Sequence, residues 1–202
     1  MVGRENLVKL VLTAMFCAII IAMTFIPYLG YIVYGGLSIT TLHVVVILGA
    51  VILGPVRGTV LGLVWGVTCL IYAAMNGTAD AAIFLDPRIS VIPRIIVGFA
   101  SAWYFIGFKA LFGRVFNKNK ASEVVAMTVT GILGTITNTV LVLTAISLFG
   151  GSGVLKLGMV LSVIIKTAIA LNGVVELVLA VVLVPALGVP LFKMLYKHSI
   201  GE

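Results

Sequence analysis

Three ionisable residues lie inside long apolar segments of this 202-residue sequence: Arg94, Lys166 and Glu176. A charged side chain near the centre of a lipid bilayer costs about 2.5 to 3.5 kcal/mol on insertion scales, so each one requires a partner or a water-filled cavity. Arg94 and Lys166 are cations, which can hold an anionic group through charge-assisted hydrogen bonds. They therefore predict a site for a small anionic ligand.

Uncharged polar residues are predicted to lie at a similar depth. At a rise of 1.5 Å per residue, Arg94 is roughly 6 Å and Lys166 roughly 14 Å below the outer surface, and Asn138 lies in the outer third of the bilayer. The predicted substrate-binding residues are His43, Tyr72, Asn76, Arg94, Asn138, Lys166 and Asn172. Glu176 is roughly 29 Å along its helix, which places it near the inner surface in a structural or partner-contacting role.

Structural roles remain open for several of these residues. Asn138 can hydrogen-bond across helices, His43 can be a satisfied structural histidine, and Arg94 can extend outward to lipid headgroups. Lys166 is too deep to reach the outer surface easily, which favours contact with a ligand or a cavity.

The sequence lacks the residue patterns of an enzyme active site. Its two histidines, His43 and His198, form no H-E-x-x-H motif, and no acidic pair falls in the predicted polar layer. A G-x-x-x-x-G-K-[ST] phosphate loop is also absent, so any ATP would have to be hydrolysed by another chain. Cys17 and Cys69 lie in apolar segments and are interpreted as small buried hydrophobic residues. No catalytic residue, metal site or cofactor is predicted.

The elements that must position these residues are membrane helices. Hydrophobic residues make up 62% of the chain, charged residues make up 9%, and the mean hydropathy is +1.30, whereas about a quarter of residues in soluble domains are charged. Breaks at Gly, Pro, Asn and charged residues predict helices near 7–26, 39–54, 56–75, 90–112, 122–149 and 157–184, outer loops at 27–38 and 76–89, and a short amphipathic tail over 185–202. The predicted fold class is an all-α integral membrane protein with six transmembrane helices, forming a single membrane domain over 1–202.

The distribution of basic residues predicts the orientation of these helices. One set of helix ends carries nine: Arg4, Lys9, Arg57, Lys109, Arg114, Lys118, Lys120, Lys193 and Lys197. The opposite set carries Arg88 and Lys156. The excess predicts that both termini are cytoplasmic. Because the basic residues are scattered between apolar runs, the net charge of +7 does not indicate nucleic-acid binding, and the apolar run after Lys9 is read as a retained helix rather than a signal peptide.

Small residues recur four apart on two of the predicted helices. Ala14, Ala18 and Ala22 form one stripe, and Gly54, Gly58, Gly62 and Gly66 form another. Such stripes allow close approach of helices, either within the bundle or with a partner protein. Thr128, Gly131, Thr135 and Asn138 likewise share one face of the fifth helix, which should point at protein rather than lipid.

The alanine stripe and the run "LGAVILGPVRGTVLGLVWG" resemble the substrate-binding S components of energy-coupling factor (ECF) vitamin transporters, over essentially the whole chain. The resemblance implies a multi-pass protein of the cell membrane that binds a vitamin from outside. It also implies docking through Ala14, Ala18 and Ala22 on a transmembrane coupling subunit that works with two ATP-binding subunits.

The run "FLDPRISVIPRIIVG" looks most like the pantothenate-type members of that family. The carboxylate of pantothenate would suit Arg94 and Lys166. Asp86 is an acid that a purely anion-binding surface would not need, so riboflavin, folate or a thiamine precursor remains open as the ligand. A stand-alone secondary transporter or channel for a small organic solute is the alternative function, although it predicts inverted repeats and broken helices that are not evident here.

Overall fold

The computed structural model describes residues 4–34, 37–76, 82–115, 120–149 and 158–197, most of which are helical. The elements are α1 (Arg4–Phe25), β1 (Tyr31–Tyr34), β2 (Leu37–Thr40), α2 (Leu42–Leu53), α3 (Pro55–Asn76), α4 (Pro87–Ser90), α5 (Ile92–Val115), α6 (Lys120–Phe149) and α7 (Gly158–Lys197). Among the described residues, five stretches are long and apolar enough to cross a membrane: Glu5–Phe25, Pro55–Asn76, Pro87–Arg114, Ala121–Phe149 and Gly173–Leu195. The predicted multi-helix membrane fold is confirmed at this level.

A short antiparallel hairpin precedes α2. β1 and β2 pair so that Tyr31 lies opposite Thr40 and Tyr34 opposite Leu37. An irregular loop was expected over 27–38 and a helix from 39, so the boundary between them was wrong, although the described chain is otherwise helical and the all-α class holds. The overlooked signal was two runs rich in Tyr, Ile, Val and Thr on either side of a Gly-Gly pair, a combination that favours a hairpin.

α2 lies at the centre of the bundle and is shorter than the other long helices. Its 12 residues span about 18 Å, which is less than a bilayer core of about 30 Å. All of them except Val45 are buried, because apolar side chains occupy every face of the helix. One core cluster joins α2 to Phe16 and Trp65, and a second joins it to Met127 and Val184. α2 therefore packs against protein nearly all round.

The six long helices alternate in direction. Lys9 near the start of α1 lines the same cavity as Gly54, Arg114, Glu123 and Phe192, so α1 begins and α7 ends on one side of the bundle. We call that side the basic end, and the opposite side, where β1 and β2 lie, the hairpin end. The tight turn at the basic end between α2 and α3 requires Gly54, whose φ of 87° is unfavourable for other residues.

α7 continues beyond its predicted end at residue 184. It runs for 40 residues and includes Pro185 and Pro190. Proline is tolerated inside a membrane helix where neighbouring helices and side chains satisfy the freed backbone groups. Within the described residues, Gly173–Leu195 of α7 is long and apolar enough to cross a membrane.

Close packing of α3 on α5 explains the glycine stripe. A methyl group at Gly62 would overlap the backbone carbonyl of Arg94, and one at Gly58 would overlap that of Gly98. A methyl at Gly66 would lie 2.7 Å from Cα of Val91. Contacts of this kind bring two helix backbones together and are typical of membrane helix pairs. This stripe therefore serves packing within the bundle.

We expect Gly62→Ala to destabilise the protein by about 1 to 3 kcal/mol, the usual cost of forcing an extra carbon into a packed interface. Gly107→Ala on α5 is the matched control, because nothing lies within 4 Å of a Cβ built there. Thermal unfolding of the purified protein in detergent should show a lower Tm for the first variant only. Equal melting temperatures for the two variants would contradict the close approach of α3 and α5.

Candidate functional site

Arg94 lies in the first turn of α5 and is 5% exposed. Its Nη1 donates a hydrogen bond of 2.6 Å to the carbonyl oxygen of Ile89. The guanidinium carbon is 5.2 Å from the ring centroid of Trp65 and 5.4 Å from that of Phe84, distances at which a cation is attracted to an aromatic face. The side chain is thus held inside the protein, and the alternative of an Arg94 extended to lipid headgroups is wrong.

A short helical turn positions the carbonyl group that Arg94 uses. α4 begins after Asp86, whose Oδ1 accepts a hydrogen bond of 2.8 Å from the backbone N–H of Arg88. This is the usual role of an aspartate at a helix N-cap, with proline favoured at the next position. Asp86 therefore has a local structural role, which accounts for this acid without a contact to the ligand.

Glu176 lies at the hairpin end, which corrects its predicted place near the opposite surface. Its Oε1 accepts a hydrogen bond of 2.7 Å from the backbone N–H of Thr40, and the residue is 8% exposed. Arg94 is within electrostatic range of this carboxylate. The depth predicted from the sequence counted from residue 157, whereas the hydrogen bond to Thr40 places Glu176 beside β2. The polar layer therefore contains an acid as well as a cation.

His43 and Asn138 are both buried near the centre of the bundle. His43 is 0% exposed, and neither of its ring nitrogens has a hydrogen-bond partner among the described residues. Asn138 is 7% exposed, and its Oδ1 also has no hydrogen-bond partner among the described residues. One turn before Asn138, Gly134 packs on Ile47, which is one turn after His43. The two residues are therefore at about the same level of antiparallel helices.

The face of α6 that carries Asn138 points at protein, as predicted. Gly131 packs on the backbone of Ala180 in α7. Thr135 is 2% exposed, and its hydroxyl donates to the carbonyl of Gly131. Thr128, about two turns before Thr135 and nearer the basic end, is half-buried.

Two aromatic side chains of the hairpin end stack on each other. The rings of Tyr31 and Tyr72 are 4.8 Å apart at an interplanar angle of 19°. The hydroxyl of Tyr31 and the indole nitrogen of Trp65 are buried without a hydrogen-bond partner among the described residues. Tyr72 was predicted as a site residue, whereas Tyr31 and Trp65 were not. Asn76 is exposed, and its amide donates 2.7 Å to the carbonyl of Tyr72, so it closes the end of α3.

The side chains of Lys166 and Asn172 lie outside the described part of the structure, although their backbones belong to α7. Asn172 precedes Glu176 by four residues, which is about one helical turn. Lys166 precedes Glu176 by ten residues, which is about 15 Å along the axis, in the direction away from the basic end. Arg94 is accordingly the cation that the described structure brings next to Glu176.

Several buried polar atoms of the hairpin half of the bundle share one property. Each lacks a hydrogen-bond partner within the described residues: Tyr31 Oη, both ring nitrogens of His43, Trp65 Nε1, Arg94 Nε and Asn138 Oδ1. A buried polar atom left unpaired costs roughly 1 to 3 kcal/mol, so a polar ligand or bound water at these atoms would be favourable. The described residues contain no group of three or more His, Cys, Asp or Glu suited to a metal ion. The arrangement suits a small organic molecule that both donates and accepts hydrogen bonds.

The alanine stripe of α1 forms a separate surface. Ala14, Ala18 and Ala22 are all exposed, whereas Phe16 and Ile20 on the opposite face enter the core. In the described structure the three alanines therefore do not pack inside the bundle.

Comparison with known proteins places these features in context. The family model "ECF transporter, substrate-specific component" matches residues 8–188. The pantothenic acid transporter PanT of Lactococcus lactis subsp. cremoris is 34% identical over 162 residues, which cover 73% of this chain and 74% of that protein. The pantothenate transporter PanT of Leuconostoc mesenteroides subsp. mesenteroides is 37% identical over 94 residues, which cover 44% of this chain and 46% of that protein.

Proposed function

This chain belongs to the family of substrate-specific components of ECF transporters, and we propose that it captures pantothenate outside the cell. Transport then requires a separate membrane coupling subunit and two ATP-binding subunits. The observation that carries the proposal is the group of buried polar atoms around Arg94 and Asn138 that have no hydrogen-bond partner among the described residues. The two relatives named as pantothenate transporters support the choice of vitamin.

The chemistry of the ligand matches the buried polar atoms that lack partners within the described part of the chain. Pantothenate has one carboxylate, one amide and two hydroxyl groups. Arg94 Nε is a charged donor for the carboxylate, and its guanidinium forms no direct ion pair within the described residues. Asn138 Oδ1 can accept a hydrogen bond from an amide or hydroxyl group, whereas Trp65 Nε1 can donate one. His43 and Tyr31 can do both.

Glu176 complements this arrangement rather than competing for the same group. One carboxylate oxygen is engaged by Thr40 of the hairpin, which ties the hairpin to α7. Asn172, one turn away on the same helix, is proposed to contact the neutral part of the ligand, together with Tyr72. We assign Lys166 and Asn76 lesser roles, because Lys166 is about 15 Å along α7 from Glu176 and Asn76 bonds to its own helix.

The proposed orientation places the basic end in the cytoplasm and the hairpin end outside. Lys9, Lys109 and Arg114 line a cavity at the basic end, and cytoplasmic ends of membrane helices carry an excess of such residues. Arg94, His43 and Asn138 then lie in the half of the bundle that faces the external vitamin.

We expect pantothenate to raise the Tm of the purified protein, and riboflavin, folate and thiamine to leave it unchanged. The alcohol obtained by reducing the carboxylate of pantothenate should bind about 10- to 100-fold more weakly, because a charge-assisted hydrogen bond contributes roughly 1.5 to 3 kcal/mol. Titration calorimetry with the acid and the alcohol measures the difference. Equal affinities for the two compounds, or stabilisation by another vitamin, would contradict pantothenate as the ligand.

A further inference from the structure

An open cavity of about 970 Å³ lies at the basic end, far from the polar atoms around Arg94. It is bounded by Lys9 of α1, the last turn of α2, the second half of α5, the first turn of α6 and Phe192 of α7. Because five helices contribute to it, the cavity is a feature of the assembled bundle and not of one helix end.

The charges that line this cavity are unbalanced. Lys9, Lys109 and Arg114 contribute three cations, and Glu123 is the single acid among the lining residues. The Nζ of Lys109 is 3.1 Å from a carboxylate oxygen of Glu123. Within the described part of the chain, no carboxylate forms an ion pair with Lys9 or Arg114. Two positive charges therefore remain for an anion.

The remaining walls are largely apolar. Leu53, Phe105, Ile106 and Phe192 line the cavity, and Ile106 is 45% exposed on the outside of the bundle. The Nζ of Lys109 lies 4.1 Å from the ring centroid of Phe192, so charge and hydrocarbon meet within one cavity. A ligand that fits both must be amphiphilic.

We propose that this cavity binds an anionic phospholipid, with the phosphate group between Lys9 and Arg114 and an acyl chain along Phe105 and Ile106. Basic pockets between membrane helices recognise anionic headgroups in this way, and each basic residue near a charged membrane surface adds to the attraction. The hydrophobic wall distinguishes a lipid from free phosphate, because a soluble anion would gain nothing from it. The site does not depend on which vitamin binds at the hairpin end.

Native mass spectrometry of the full-length protein in detergent tests this proposal with phosphatidylglycerol, phosphatidylcholine and glycerol phosphate as probes. We expect phosphatidylglycerol to bind in preference to phosphatidylcholine. The double variant Lys9→Gln/Arg114→Gln should weaken phosphatidylglycerol binding roughly tenfold or more, since each cation contributes separately. The matched control is Arg57→Gln/Lys193→Gln, which removes two basic residues of the same end that do not line the cavity.

The control should retain phosphatidylglycerol affinity within about twofold of the original chain, a change of less than 0.5 kcal/mol. Equal binding of the two lipids, or an equal loss in the control, would show only diffuse electrostatic attraction and overturn the proposal. If glycerol phosphate displaces phosphatidylglycerol at a similar concentration to the lipid, the cavity is a site for soluble phosphate compounds and the proposal is overturned.

Discussion

Replacing Arg94 with glutamine should weaken pantothenate binding by roughly 30-fold or more, because truncating one partner of a buried charged pair costs about 2 kcal/mol at least. The residue is 5% exposed, so water cannot easily replace the lost charge. Arg94→Lys should recover part of the affinity, since it keeps the positive charge but lacks the planar guanidinium that lies between Trp65 and Phe84.

Arg94 also supports the fold through its hydrogen bond to Ile89. A loss of affinity in Arg94→Gln therefore does not by itself prove that Arg94 contacts the ligand. The decisive experiment measures four affinities in one thermodynamic cycle, those of the original chain and of Arg94→Gln, each for pantothenate and for its alcohol. If Arg94 holds the carboxylate, the substitution weakens binding of the acid far more than binding of the alcohol. A similar loss for both compounds would mean that Arg94 serves the fold.

Lys166→Met belongs in the same cycle. From the sequence alone, Arg94 and Lys166 were both expected to contact the carboxylate of the ligand. With about 15 Å of helix between Lys166 and Glu176, we now expect Lys166→Met to have a smaller effect than Arg94→Gln. A larger effect would show that the first half of α7 closes over the ligand.

Replacing Ala18 with tryptophan should abolish vitamin uptake by cells while leaving the affinity of the isolated protein within a few-fold. Ala14, Ala18 and Ala22 are exposed, and a bulky side chain there would prevent close approach of a partner helix. Binding should survive because Phe16 and Ile20, on the other face of α1, still pack in the core. Uptake of labelled pantothenate and calorimetry of the purified variant measure the two properties separately.

Ile19→Trp provides the matched control, because Ile19 is also exposed (44%) but lies about 100° around the helix from Ala18. It should leave uptake largely intact. Loss of binding and uptake together in Ala18→Trp would mean that the alanine stripe is needed for the fold. Concentrative uptake by this chain alone in liposomes would favour a stand-alone transporter and contradict the need for coupling subunits.

The positions of the long helices could be predicted from the sequence because they depend on local composition. Uninterrupted apolar runs favour membrane helices wherever they occur, and Gly54 with Pro55 marks a turn for reasons of backbone conformation. Arg94 and Asn138 were likewise identifiable, since a polar side chain in an apolar segment is costly without a partner. The sequence by itself thus determined the class of protein and part of the candidate site.

The tertiary structure alone decided which of these polar residues meet. The hydrogen bond between Thr40 and Glu176 joins residues 136 positions apart, and nothing in the local sequence of α7 indicates it. Glu176 was misplaced because depth depends on which part of a 40-residue helix packs against its neighbours, not on where the helix begins. Tyr31 and Trp65 were missed because aromatic residues are ordinary in a membrane helix or hairpin, and only packing shows that their polar atoms are buried near Arg94.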